Sequence, residues 1–159
     1  MKNKNSVDKN ILVSNRKASR NYQILEKFEA GIVLTGTEVK SVKLGHASIQ
    51  EGYVHIDKKM EIWLIGSTIQ PYSYGNILNH KIDQERKLLL HHKEIQRLYG
   101  KVKENGLTII PIRFYLLKGK VKILIGLGRG KDLMDKRESI KKRESDRDTR
   151  RIIKSYNNK

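Results

Sequence analysis

Apolar residues recur two apart from Tyr22 through Ile24, Phe28, Ala30, Ile32 and Leu34, with Glu26 the one polar intrusion. A period of two puts these side chains on one face, so Tyr22 to Leu34 predicts a long strand with that face in a core. At Thr35 the pattern changes. Thr35 and Glu38 have capping-box spacing: the Thr hydroxyl can accept from the Glu38 amide while the Glu38 carboxylate reaches back to the Thr35 amide. A helix of about two turns follows, with Val39 and Val42 inward, Lys40 and Lys43 outward and Gly45 as a left-handed stop.

Further along, Ile49 to Ile56 and Met60 to Ile65 predict a hairpin joined by Asp57-Lys58-Lys59, its register open. The apolar neighbours of Trp63 place it in the core or as a lid rather than as a base-stacking platform. Pro71-Tyr72-Ser73-Tyr74-Gly75-Asn76 reads as an exposed loop whose tyrosines either cover the core or stack on a base. Arg86 to Leu90 leads into a helix whose stripe Ile95, Leu98, Tyr99 and Val102 docks on the sheet and closes at Asn105-Gly106. Leu107 to Leu117 and Lys120 to Leu127 form a second hairpin across Lys118-Gly119, and Pro111 confines the first of these strands to an edge or a bulge. Several antiparallel strands with an inserted helix predict a mainly β, α+β fold built as a small barrel.

The chain divides into a flexible arm over 1–14, a barrel domain over 15–130 and a tail over 131–159. From Arg129 to the last residue, 12 Lys/Arg stand against 6 Asp/Glu, and apolar residues are sparse after Leu133, Met134 and Ile140 until Ile152 and Ile153. Such a segment is disordered alone. Yet it has neither Pro nor Gly after Gly130, and Asp132/Lys136, Glu138/Lys142 and Asp146/Arg150 are acid-before-base pairs at i,i+4. Each pair contributes only about 0.2–0.5 kcal/mol against a costly nucleus, so a partner must order the helix.

With 159 residues the chain suits one domain. Its net charge of +17 exceeds what solubility needs and is the footprint of a polyanion binder. The absence of cysteine excludes disulfides and thiolate sites and agrees with a reducing compartment. Without an apolar run of membrane-spanning length, and with a polar opening Met1-Lys2-Asn3-Lys4-Asn5, the chain reads as cytoplasmic and off the membrane. The histidines His46, His55, His80, His91 and His92 have no metal or nucleophile spacing, so neither an enzyme nor a cofactor or metal site is expected. Gly126-Leu127-Gly128-Arg129-Gly130-Lys131 lacks the Ser or Thr of a phosphate loop and reads as a flexible exit from the barrel.

The run Asn15-Arg16-Lys17-Ala18, then Phe28-Glu29-Ala30-Gly31 through Glu38-Val39-Lys40-Ser41, closely resembles the SsrA-binding protein family, also called small protein B. The likeness continues in Arg86-Lys87-Leu88-Leu89-Leu90-His91, Leu98-Tyr99-Gly100-Lys101-Val102, Gly119-Lys120-Val121-Lys122, Gly128-Arg129-Gly130-Lys131 and Asp135-Lys136-Arg137. It implies an oligonucleotide-binding-type barrel with flanking helices, and an adaptor that binds the tRNA-like domain of transfer-messenger RNA, one monomer per RNA. Protein and RNA would together imitate a tRNA on the stalled ribosome, with the tail entering the decoding centre and the empty message channel, to drive trans-translation. Glu38, Leu89 and Lys122 match positions needed for RNA binding, and Asn15, Arg16, Lys17, Lys40, Arg129 and Lys131 join them as candidate RNA contacts. Asp135, Lys136, Arg137, Ile152 and Ile153 are the candidate ribosome contacts.

Residue chemistry leaves other readings beside these. Charge alone allows Arg16 and Lys17 to be a solvated lead-in, Glu38 to be only a cap, and Leu89 to be core. Lys122 alternates with Val121 and Ile123 and faces outward, free to meet a phosphate. Asp132 stands where the family usually has a second Lys, and Met134 where a His or Tyr is common, which weakens the contacts expected at the exit of the barrel. The alternatives are a general basic RNA-binding or ribosomal protein and a nuclease using Glu38 and a histidine.

Overall fold

The alternating stretch forms strand β2 (Tyr22–Ile32), preceded by β1 (Ile11–Ser14) and the short helix α1 (Ala18–Asn21). Next come α2 (Gly36–Lys43), β3 (Ala47–Ser48), β4 (Tyr53–Ile56), β5 (Ile62–Ile65), β6 (Thr68–Ile69), β7 (Arg86–Leu89) and α3 (His92–Asn105). Strands β8 (Thr108–Leu117) and β9 (Lys120–Gly130) and helix α4 (Leu133–Asn157) complete the chain. This computed structural model describes residues 10–75 and 78–157; residues 1–9 of the expected arm, Asn76 of the tyrosine loop and the final residues 158–159 lie outside them.

Strands β4, β5, β7, β2, β9 and β8 pair antiparallel in that order, and β8 returns to β4 through Val54 and Ile109, closing a ring of six. The small antiparallel barrel expected from the sequence is this ring. Its interior holds Phe28, Leu64, Leu88, Phe114, Ile123 and Ile125, and the stripe of α3 closes on it through buried Ile95 and Leu98. Burial of so many apolar side chains, each stabilising by about 1.5–3 kcal/mol, holds the ring together.

Several sequence expectations are corrected. Ile11–Ser14 belongs not to a frayed arm but to β1, which extends the ladder of β8 with Val13 opposite Phe114. Strand β2 stops at Ile32, two residues short of Leu34. The first hairpin is shorter than its apolar runs, with Val54 opposite Leu64 and His55 opposite Trp63. Trp63 lies on the outer face of β5, half-buried, its indole donating to Asp57 Oδ2 at 3.2 Å. Gly126 to Gly130 is no flexible exit: β9 remains paired with β2 as far as Tyr22 opposite Gly130. A Cβ at Gly128 would stand 2.7 Å from the Gln23 carbonyl oxygen, so this glycine permits close strand approach.

Other features fall where the sequence puts them. The register shifts between Pro111 and Arg113, so the proline sits at a bulge. Lys118 and Gly119 both have positive φ in the turn joining β8 to β9. Gly45 and Gly106 stand left-handed just past α2 and α3.

Candidate nucleic-acid interface

Helix α2 is anchored by the acid that caps it. The Thr35 amide donates to Glu38 Oε2 at 2.8 Å, and the Glu38 amide to Thr35 Oγ1 at 3.4 Å, completing the capping box. The other carboxylate oxygen turns into the protein, where Arg86 Nε donates to Glu38 Oε1 at 2.8 Å and Gln84 Nε2 donates at 2.7 Å. Both ionic side chains are 1% exposed.

A buried guanidinium is tolerable only when its donors are satisfied. Arg86 Nη1 donates to the carbonyls of Ser67 and Gln84 and to the Ser67 hydroxyl, while Nη2 donates to the carbonyls of Lys81 and Ile82. One arginine therefore ties α2, β7 and the segment before β7 into a unit. Burial pushes the Glu38 carboxyl up, but the Thr35 amide, Gln84 and the Arg86 charge outweigh it and hold it below the usual carboxylate range. Glu38 thus presents neither oxygen to a ligand, and any effect it has on RNA passes through the placement of α2. Arg86 was missed in the sequence, although its i,i+2 parity with Leu88 turns it inward.

That parity also corrects Leu89, which is 53% exposed rather than core. Gly31 of β2 lies opposite Leu89 of β7 on one side and opposite Lys122 of β9 on the other. Directly opposed residues share a face, so three strands present Leu89, Gly31 and Lys122 as one outward row. A Cβ at Gly31 would stand 3.2 Å from the Leu89 Cβ, and its absence lets the leucine lie over the strand. The row floors an open groove of about 420 Å³, walled by Ile32, Leu34, Val39 and Lys120. Lys122 Nζ is 4.0 Å from Glu29 Oε1, a long contact that leaves the ammonium available. Lys40, one residue past Val39, is exposed with Nζ 5.1 Å from the centre of the Tyr72 ring.

The remaining candidates gather elsewhere. Gln23 opposite Arg129 and Gly31 opposite Lys122 are eight residues apart along β2, roughly 25 Å at strand rise. Asn15 is buried, donating to the carbonyls of Ile49 at 3.1 Å and Pro111 at 2.9 Å, while its Oδ1 accepts from the amides of Lys17 and Ala18. It is a brace starting α1, with no valence left for RNA. Arg16 and Arg129 are exposed, and Lys17 pairs with Glu51. Lys131 Nζ donates to the Ser19 carbonyl at 3.2 Å and to Ser139 Oγ at 2.8 Å, and Arg143 Nη2 donates to Ser19 Oγ at 2.6 Å, so α4 leaves the ring against α1.

Helix α4 carries Asp135, Lys136 and Arg137 in its first turns, and every residue from 141 to 156 is exposed. Ile152 and Ile153 are 56% and 53% exposed. None of the three i,i+4 pairs expected in the tail closes; among the described residues its internal ion pair is Asp148 with Arg151, one residue closer, at 3.7 Å. Among the described residues no cluster of His, Asp and Glu could hold a metal, and no helix is long and apolar enough to cross a membrane.

A closed antiparallel ring with a cation-edged groove on one face and a basic helix at its exit defines a small polyanion-binding module. Residues 12–155 match the family described as SmpB protein, and the chain belongs to that family. A protein named SsrA-binding protein from Trichormus variabilis is 50% identical over 147 residues, 92% of this chain and 94% of that one. Another of the same name, from Streptococcus mutans, is 48% identical over 148 residues, 93% and 95% of the two chains. A solved chain described as "tmRNA-SmpB: a journey to the center of the bacterial ribosome" superposes with a TM-score of 0.63 at 41% identity, covering 80% of this chain and 92% of that one.

Proposed function

We propose that this chain is an RNA-binding adaptor without catalytic activity that binds transfer-messenger RNA and delivers it to stalled ribosomes in the cytoplasm for trans-translation. Leu89 and Lys122 lie 33 positions apart in sequence yet stand in one row across Gly31, and this observation carries the reading. A row with an apolar residue at one end and, at the other, a cation held only by a long ion pair suits a sugar or base edge beside a phosphate. The names of its relatives point to the same ligand.

In this reading the groove end of the β2–β9 ladder takes the tRNA-like domain, while Arg16, Arg129 and α4 at the far end face the ribosome. The tail then enters the decoding centre and message channel, where Asp135, Lys136, Arg137, Ile152 and Ile153 make contact. A nuclease alternative loses its base, because Glu38 is buried and saturated. The deciding experiment titrates transfer-messenger RNA and an unrelated structured RNA of equal length against the protein, with Leu89→Ala and Lys122→Ala alongside. The adaptor reading expects a preference for the first RNA that both substitutions erode. Equal affinity for both RNAs would leave only a general basic RNA binder.

A further inference from the structure

Beyond the groove, we propose that Tyr72 and Tyr74 form a stacking platform for one unpaired nucleobase of the bound RNA, with Lys40 as its phosphate anchor. The proposal rests on the RNA-binding reading above. It starts from burial: Tyr72 is half-buried, but if Tyr74 also covered the core its ring would not be open. Tyr74 is 86% exposed, and its described ring contact is with Tyr72, at 5.7 Å between centroids and 62° between planes.

The backbone that carries the supporting ring is held in place. The Tyr72 amide donates to Asn79 Oδ1 at 3.3 Å, while the Tyr72 carbonyl accepts from Asn79 Nδ2 at 2.9 Å and from the Gly75 amide at 2.8 Å. His80, next along, bridges Thr37 Oγ1 at 2.9 Å and the Ile69 carbonyl at 3.0 Å, joining this segment to the first turn of α2. The Lys40 ammonium, 5.1 Å from the Tyr72 ring centre, places a cation at the same ring.

An edge-to-face pair leaves an open aromatic face on Tyr74, and every base has a π-face to lay on it. Val39, next to Lys40 on α2, walls the groove containing Leu89 and Lys122, so one helix carries both a wall of the groove and the cation beside Tyr72. The surrounding positive charge favours a nucleic acid over an apolar protein segment.

The test uses the full-length protein and the tRNA-like fragment of transfer-messenger RNA, titrated at several salt concentrations. Tyr74→Ala should lower affinity about 5- to 150-fold, the range of one base stack, with the salt slope unchanged. Tyr74→Phe and Tyr74→Trp should stay within about twofold of the wild type, since they keep a π-face. Lys40→Ala should lower affinity and flatten the slope by about 0.7–0.9, the amount for one phosphate contact. Thermal melts should not move for Tyr74→Ala, because the side chain is exposed. Tyr74→Ala binding within twofold of wild type, while Leu89→Ala and Lys122→Ala weaken it, overturns the platform and leaves the RNA reading standing. Unchanged RNA affinity of Tyr74→Ala with reduced tagging of stalled ribosomes would mean that the tyrosines meet the ribosome instead of this RNA, and overturns it too. A wild type without affinity for the RNA removes the functional reading and the platform together.

Discussion

Glu38 both caps α2 and pairs with a buried arginine, and its neighbours in sequence show only the first of these. The Thr35–Glu38 spacing identified the cap, and losing a cap costs about 0.5–2 kcal/mol. The carboxylate also neutralises a buried arginine, and removing one partner of a buried ion pair costs about 3–5 kcal/mol. Glu38→Ala should therefore lower the denaturation midpoint well beyond a cap deletion, and Arg86→Met should disturb RNA binding in the same way without touching the RNA. A cap-sized loss in urea melts would show that Arg86 finds another partner. Because the Glu38 carboxyl is lowered from 4.5, its ionic stabilisation is complete above that pH and vanishes as pH falls through the lower folded value. The stability gap between wild type and Glu38→Gln should stay constant down to about pH 4.5 and close in stronger acid. What the sequence lacked was the partner: Arg86 lies 48 positions away, and only strand parity hinted that a charge there faced inward.

Elements were legible where a period or a cap marked them. Strands β2, β8 and β9 and helices α2 and α3 were read from periodicity and caps, while β3 and β6, two residues each, have too few positions to show a period. The glycines of β9 were misread because sequence shows that a side chain is missing, not what comes close in its place. Gly128→Ala would force a Cβ against the backbone of β2, and overpacking of this kind costs about 1–3 kcal/mol; a melt unchanged from wild type would mean that the strands part without strain. Helix α4 has no buried face beyond its first turns, so we propose that the free chain populates it only partly and that the ribosome fixes it. Deleting the chain from Met134 onward should spare the fold and most RNA affinity while abolishing peptide tagging, and Ile152→Asp with Ile153→Asp should do the same. Full tagging by the double mutant, or a stable helix in the isolated tail by circular dichroism, would count against that coupling.

At the scale of the whole molecule, the charge of +17 was the most direct pointer to a polyanion. The logarithm of RNA affinity should fall linearly with the logarithm of salt, by about 0.7–0.9 per phosphate neutralised, and the tail deletion should make that line shallower. A slope indifferent to the tail would mean that its cations stand clear of the RNA. A protein carrying bare isoleucines near the end of a helix that buries no face there would ordinarily be prone to self-association. The closed ring changes that outlook: its strands satisfy one another around the circle, and the outermost strand, β1, is only four residues long. Beyond the four-residue β1 and the two-residue β3 and β6, the described residues offer little unpaired backbone as a template for another copy, so the protein can be held concentrated at moderate salt, with its charge keeping copies apart and its sheets giving them only short strands on which to start a fibre.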